Sequence, residues 1–299
     1  MTSTERQGHL LALFTIFVWG TTFVSTSYVL KDFSPLAVLI IRIVLAILAL
    51  AIAKPRILKL KTLKHELYFI GASLFGVSLY FLLENYALTY TFSGNVSVIV
   101  STAPFFVAIA MRWFGVGEKL TKYFYIGFII AIFGISMMSF SSDQHFQLNP
   151  LGDLLALLSA ISWAGYSVFL KKIESFGYDT MMATRRIFVY GLLECLIFLL
   201  FIPTSFPLSA LLKPLNAFNF LFLGLCASAL CFVTWSFAIR RLGAVKTSLY
   251  IYLSPVITIV IAWLLLKDPL LPSALLGAAF TLIGLVISQN GAKIKLEEK

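Results

Sequence analysis

The stretch GHLLAL at residues 8–13 returns as GDLLAL at residues 152–157, an offset of 144 residues. Trp19 and Arg42 recur at the same offset as Trp163 and Arg186. At offsets of 150 or 151 a second set follows, which pairs Phe81 with Phe232, Ala87 with Ala238, Pro104 with Pro255, Trp113 with Trp263, Gly127 with Gly277 and Gly134 with Gly284. The order of these matches predicts two related halves, residues 1–145 and 146–299.

The composition is that of a membrane protein. Of the 299 residues, 60% are hydrophobic and 12% are charged, whereas soluble domains carry about a quarter charged residues. The charges fall mostly between long apolar runs, which is typical of a chain that crosses a bilayer several times. The formal net charge is +10, but the basic residues flank apolar runs. Membrane orientation therefore explains them better than a nucleic-acid partner does.

The apolar runs predict an all-α membrane protein with ten spans, because a helix needs roughly 20 apolar residues to cross a bilayer. The predicted spans are residues 9–29, 35–53, 66–88, 93–113, 121–140, 149–171, 178–202, 217–238, 244–266 and 270–289. Of the 23 Lys and Arg residues, seventeen fall on one side and three on the other, with Arg42, Arg185 and Arg186 inside spans. Cytoplasmic loops are enriched in basic residues. We therefore expect both termini in the cytoplasm and the chain in the plasma (inner) membrane.

The repeat and the span count together predict an inversion. Each half has five spans, an odd number, so the second half enters the membrane upside down relative to the first. Two similar halves of opposite orientation exchange conformations at similar energy. That exchange is the simplest structural basis for alternating access in a transporter.

Three motifs carry a resemblance to a known family. Residues 17–23 read FVWGTTF, and the Pro104 and Pro255 helices run into GEKLT at 117–121 and KDPL at 267–270. With the repeated glycines, this ordered set resembles EamA-type members of the drug/metabolite transporter superfamily over nearly the whole chain. Asp268 stands where that family usually has Glu. The resemblance implies a solute carrier, often an exporter of amino acids or related metabolites, with a cavity between spans 1, 3, 4, 6, 8 and 9.

Aromatic and polar residues near mid-membrane are the candidates for lining a substrate cavity. Trp19 and Trp163 lie away from the interfaces where tryptophan is usually found, which favours cavity lining over helix packing. Pro104 and Pro255 free backbone carbonyls near mid-span, which fits a substrate site or hinge as well as a static kink. The remaining candidates also fit ordinary helix–helix contacts; they are Thr22, Asn95, Ser101, Tyr166, Trp235, Tyr250 and Ser254.

Four charged residues inside spans form the second group of candidates. Buried Arg42 and Arg186 are functional or paired, unless their side chains reach back to lipid headgroups. Glu84 and Glu194 have no acidic counterpart in the other half. The simplest alternative is one ion pair, of Arg42 with either acid. The sharper hypothesis makes a proton the coupled partner, carried by one unpaired acid.

No cofactor, metal site or ATP-binding loop is predicted. The three cysteines fall in apolar runs without metal-ligand spacing, and His9, His65 and His145 are expected far apart. The favoured function is a secondary transporter of a small-molecule substrate, acting as a monomer or homodimer. The alternatives are an integral-membrane enzyme acting on lipid or isoprenoid substrates, and a channel or subunit of a larger complex. Substrate and direction stay open.

Overall fold

The structure is a computed structural model that describes residues 3–91, 93–115, 120–140, 149–266 and 272–293. Every regular element in this part of the chain is helical. The helices are α1 (Ser3–Val29), α2 (Pro35–Ala53), α3 (Lys64–Tyr90), α4 (Ser93–Val100), α5 (Ala103–Trp113), α6 (Lys122–Phe140), α7 (Pro150–Ser175), α8 (Thr180–Phe198), α9 (Leu208–Leu211), α10 (Pro214–Leu242), α11 (Ala244–Ser248), α12 (Leu253–Leu266) and α13 (Pro272–Lys293).

The helices are those of a multi-pass membrane protein. Within the described residues, six are long and apolar enough to cross a membrane: Ser3–Val29, Pro35–Ala53, Lys64–Tyr90, Val96–Trp113, Pro150–Ser175 and Pro214–Leu242. Shorter apolar helices accompany them at Lys122–Met137 and Leu276–Ser288. Large apolar side chains such as Ile129 and Leu154 face outward. Such a surface suits a hydrocarbon environment, in which lipid takes the place of water.

Two of the long helices contain a π-helical segment at related positions in the two halves. In α3 it covers Leu74–Ser78, and in α10 it covers Phe222–Leu230. A π-segment widens the helix, weakens its regular hydrogen bonds and is frequent at functional sites. The sequence analysis missed both segments. Each contains one glycine, Gly76 or Gly224, but a single glycine in an apolar run does not distinguish a π-segment from ordinary helix.

The prolines of the two halves begin helices instead of kinking them. Pro104 lies in the first turn of α5, after a break at residues 101–102. Pro255 lies in the first turn of α12, which follows a short 3₁₀ segment, Leu249–Tyr252. Proline is well tolerated in a first turn, because its missing N–H has no helical acceptor there. The predicted mid-span kinks are therefore helix breaks. Residues 117–119 of the first turn motif and the whole of the second, residues 267–270, lie outside the described residues.

The backbones of helices α6 and α13 approach each other closely where the two helices cross. A side chain at Gly134 would collide with the carbonyl oxygen of Gly277, and one at Gly284 would collide with that of Gly127. Small residues allow this backbone approach between membrane helices. The contacts are reciprocal, because Gly127 and Gly134 are the residues that the sequence repeats as Gly277 and Gly284.

Candidate functional site

A buried cavity of about 40 Å³ lies between the two halves. From α1 it takes Ile16, Trp19 and Phe23, which share one helix face because they are spaced by three, four or seven residues. Its volume has room for about three water molecules. The full lining is Ile16, Trp19, Thr22, Phe23, Arg42, Tyr80, Phe81, Glu84, Val100, Ala103, Trp163, Phe232, Ile251 and Ser254.

Trp19 and Trp163 form one wall of this cavity and touch each other. Their ring centroids are 5.2 Å apart at an interplanar angle of 87°, a favourable edge-to-face arrangement. The indole N–H of Trp19 donates to the carbonyl oxygen of Ala227, in the π-segment of α10, at 2.9 Å. In the other half, Ser162 donates to the carbonyl oxygen of Phe75, in the π-segment of α3, at 2.7 Å. Each π-segment thus accepts a hydrogen bond from a first helix of a half.

Arg42 is buried in the cavity wall. Its guanidinium lies over the ring of Phe81, with Cζ 3.8 Å from the centroid, and its Nε donates to Ser228 Oγ at 3.1 Å. Its Nη1 is buried and has no hydrogen-bond partner among the described residues. No carboxylate oxygen in the described part of the chain lies within 4 Å of an Arg42 nitrogen, the distance limit for an ion pair. Arg42 is therefore anchored at one nitrogen and available at another.

The two intramembrane acids lie in different surroundings. Glu84 lines the cavity together with Arg42 and Tyr80. Glu194 lies outside the cavity and accepts hydrogen bonds from Ser73 at 2.9 Å and from Ser78. The direct ion pair of Arg42 with either acid, the simplest alternative from the sequence, is not formed.

Other predicted cavity residues lie beside or behind the cavity. Trp235 packs on Trp19 with ring centroids 5.0 Å apart, and Tyr166 packs on Trp163 at 4.8 Å. Thr22, which lines the cavity, donates to the carbonyl oxygen of Trp19. Ser254 also lines the cavity. Outside it, Ser101 donates to the carbonyl oxygen of Ser97, the Tyr250 hydroxyl lies 2.5 Å from His9 Nδ1, and Pro104 and Pro255 are buried. The Asn95 side chain lies outside the described residues.

Arg186 does not share the environment of its repeat mate Arg42. Its Nε donates to Glu66 at 3.0 Å, and a second nitrogen contacts the other oxygen of that carboxylate. Its Nη1 donates to the carbonyl oxygen of Leu58, and Tyr190 donates to Glu66 at 2.6 Å. Each guanidinium nitrogen of Arg186 therefore has a hydrogen-bond acceptor, unlike Nη1 of Arg42. The sequence analysis missed Glu66 as its partner, although the residue stands at the start of the third predicted span.

A second polar cluster closes the loop between α1 and α2. Asp32 accepts hydrogen bonds from Lys213 at 3.0 Å and from Asn216 at 2.7 Å. The hydrogen bond from Asn216, together with the Lys213 ammonium, holds the pKa of the Asp32 carboxyl below its usual range. The cluster ties the first loop to the start of α10.

Known proteins resemble this chain over its length. The EamA-like transporter family matches residues 6–140 and again residues 150–289. The chain belongs to this family. An uncharacterized transporter of Archaeoglobus fulgidus is 29% identical over 93% of this EamA chain and 96% of its own length. A probable terminal-alkyne amino-acid exporter of Streptantibioticus cattleyicolor is 24% identical over 91% of this chain and 90% of its own.

A solved crystal structure supports the same fold for this EamA protein. It superposes with a TM-score of 0.72 over 96% of this chain and 97% of its own, at 17% sequence identity. At that identity the likeness concerns the fold alone. A further relative, an uncharacterized transporter of Bacillus subtilis, is 28% identical over 91% of this chain and 92% of its own length. The named relatives are thus transporters.

Proposed function

We propose that this protein is a secondary transporter that moves small organic metabolites, foremost amino acids or related compounds, out of the cell by alternating access. The observation that carries the proposal is the buried cavity between the halves, which holds Arg42 and Glu84 without a direct ion pair. Charged residues inside a membrane protein are costly and usually mark a substrate or ion pathway. The relative named as an amino-acid exporter favours the substrate class and the efflux direction.

The proposed mechanism rests on ten spans in two inverted five-helix repeats, residues 1–145 and 146–299. Three observations support it: the family matches the chain twice, both halves carry a π-segment in the third of their long helices, and the glycine contacts of α6 and α13 are reciprocal. Reciprocal contacts arise when two similar units are related by a twofold axis. A cavity on such an axis opens alternately to either side when the repeats rock.

The charges favour a zwitterionic substrate within this proposal. Nη1 of Arg42 is the available donor and would bind a carboxylate. Glu84 would bind the ammonium group, while Trp19, Phe81 and Trp163 would enclose the apolar part. At about 40 Å³ the cavity is far smaller than a typical ligand site of roughly 300–1,000 Å³. The conformation described here would therefore be an occluded one, which widens when substrate enters.

The orientation and coupling are parts of the same proposal. The segregation of Lys and Arg favours a plasma membrane location with both termini in the cytoplasm. Of the two acids, Glu84 is the better candidate for a proton carrier, because it shares the cavity with the proposed substrate. A substrate ammonium and a proton would then compete for one carboxylate, which is the simplest way to couple their movements.

Counterflow in proteoliposomes tests the proposal. Vesicles loaded with an unlabelled amino acid should accumulate the labelled form only when protein is present, with saturation and competition by other substrates. Arg42→Gln should lower the flux by about tenfold or more, because a charge-assisted hydrogen bond contributes about 1.5–3 kcal/mol. Arg185→Gln is the matched control, since the Arg185 guanidinium donates to the backbone carbonyls of Lys54 and Arg56 and is not part of the cavity lining. Failure of every tested metabolite to exchange would contradict the proposed function.

A further inference from the structure

A second and larger concavity opens on the outer surface of the helix assembly. It measures about 690 Å³ and lies between α3, α5 and α7. Ala164 and Gly165 of α7 are part of its lining, and the ring of Phe75 packs directly against Gly165. The aromatic rings of Phe75, Phe106 and Phe169 form the walls. This groove is separate from the buried cavity, since the two share no lining residue.

The groove faces the hydrocarbon of the membrane. Trp113 is 85% exposed at its rim, and Ile161 is 43% exposed along its length. Residues this apolar are exposed in a membrane protein where lipid covers them. A lipid-facing groove of about 690 Å³ with an almost wholly apolar lining suits an acyl chain. Two copies related by a twofold axis would set groove against groove and leave the space unfilled.

One end of the groove is basic. Lys172 is part of the lining and lies in the last turn of α7. Arg112 lies in the last turn of α5, directly before Trp113 on the rim. Both basic side chains are exposed. They stand on the side of the membrane that receives most Lys and Arg residues, where anionic headgroups are attracted to basic clusters. No acidic residue is among those that line the groove.

We propose that this groove is a binding site for one anionic phospholipid, with an acyl chain in its apolar part and the headgroup phosphate on Lys172 and Arg112. The site depends on membrane insertion and on no property of the transport cavity. Bound lipid would fill the space beside α5, the helix that begins at the Pro104 break. It would thereby connect the lipid composition to the position of a helix next to the cavity.

Trp113 provides a reporter for the bound lipid. We would reconstitute a Trp263→Phe background into phosphatidylcholine vesicles. The vesicles would contain, at equal mole fraction, either phosphatidylglycerol or phosphatidylcholine whose acyl chain is brominated close to the headgroup, because Trp113 lies beside Arg112 at the headgroup end of the groove. Bromine quenches tryptophan on contact. The signal of Trp113 follows by subtraction of the Trp113→Phe variant, since the other tryptophans with described side chains are buried or packed in the protein interior. Brominated phosphatidylglycerol should quench Trp113 with a relative binding constant about fivefold or more above phosphatidylcholine.

The charge-neutral variant decides the headgroup contact. In the double variant Lys172→Gln/Arg112→Gln, the ratio of the binding constants for phosphatidylglycerol and phosphatidylcholine should fall to about one. Lys31→Gln, which removes a basic residue of the first loop, should leave the ratio unchanged. Equal quenching by the two lipids in the unaltered background would overturn the proposal, because it would mean ordinary boundary lipid. An unchanged preference in the double variant would overturn it as well. If neither lipid quenched Trp113 and the protein formed a stable dimer in detergent, a second copy would occupy the groove, and the proposal would be overturned.

Discussion

Trp19 and Trp163 occupy equivalent positions 144 residues apart in the sequence, and their rings touch with centroids 5.2 Å apart. A residue that contacts its own repeat mate lies on the axis that relates the two units. The cavity wall is therefore at the place where a pseudo-twofold axis would pass. The reciprocal contacts of Gly127 with Gly284 and of Gly134 with Gly277 have the pattern expected away from that axis.

The tryptophan pair should respond unequally to the same substitution. The Trp19 indole donates to Ala227, whereas the Trp163 indole has no hydrogen-bond partner among the described residues. We expect Trp19→Phe to lower stability by about 1 kcal/mol more than Trp163→Phe, since it leaves a buried carbonyl without a donor. Thermal unfolding in detergent measures the difference. Equal losses for the two variants would mean that the hydrogen bond to Ala227 contributes nothing.

The sequence predicted the helical class, because long apolar runs have a single physical explanation, while the count of ten spans stays a prediction. It also led to Trp19, Trp163, Arg42 and Glu84 as candidates, and these four line one cavity. It did not predict the π-segments, whose extra residue per turn depends on packing between helices. The sequence did not predict the partners of the charged residues either, since helical position alone does not determine which partner a long side chain reaches.

The glycine crossing of α6 and α13 should tolerate no added side chain. Gly134→Ala would drive a methyl group into the backbone of α13 at Gly277 and Thr281, which cannot move away as a flexible side chain does. We expect a loss of about 2 kcal/mol or more, typical of overpacking. Gly152→Ala is the milder control, because the atoms nearest to its methyl group would be side-chain carbons of Tyr90 and Thr91 at 3.0–3.1 Å, against backbone atoms at 2.4–2.6 Å for Gly134. Similar unfolding temperatures for the two variants would contradict the close crossing.

The Arg186–Glu66 pair should show a measurable coupling energy. The side chains are 24% and 21% exposed, and the contact is bidentate. We expect a double-mutant cycle of Arg186→Gln and Glu66→Gln to give about 1–2 kcal/mol, above the range for exposed pairs. The cycle of Arg185→Gln with Glu66→Gln should give about zero. A coupling near zero for the first pair would place Arg186 among ordinary surface charges.

The loop cluster at Asp32 gives a pH dependence of defined sign. Because the pKa of Asp32 is lowered in the folded protein, its contribution to stability is present above the unfolded pKa of about 3.9. The contribution is lost as the pH falls through the lower, folded value. The unfolding temperatures of wild type and Asp32→Asn should therefore differ slightly at pH 7 and converge near pH 2. A difference that grew on acidification would reverse the sign and exclude the Lys213 and Asn216 contacts as its cause.

The two intramembrane acids should differ in transport, because only one of them lines the cavity. Glu84 shares the cavity with Arg42, whereas Glu194 accepts hydrogen bonds from Ser73 and Ser78 outside it. If a proton is the coupled partner, Glu84→Gln should abolish the dependence of amino-acid flux on an imposed pH gradient. Exchange at equal pH should persist at a reduced rate, because the variant also loses the carboxylate proposed to bind the substrate ammonium. Glu194→Gln should keep that dependence, since Ser73 and Ser78 would then bind an amide oxygen in place of a carboxylate. If both variants kept the dependence of the wild type, neither acid would carry the proton, and the cavity charges would serve substrate binding alone.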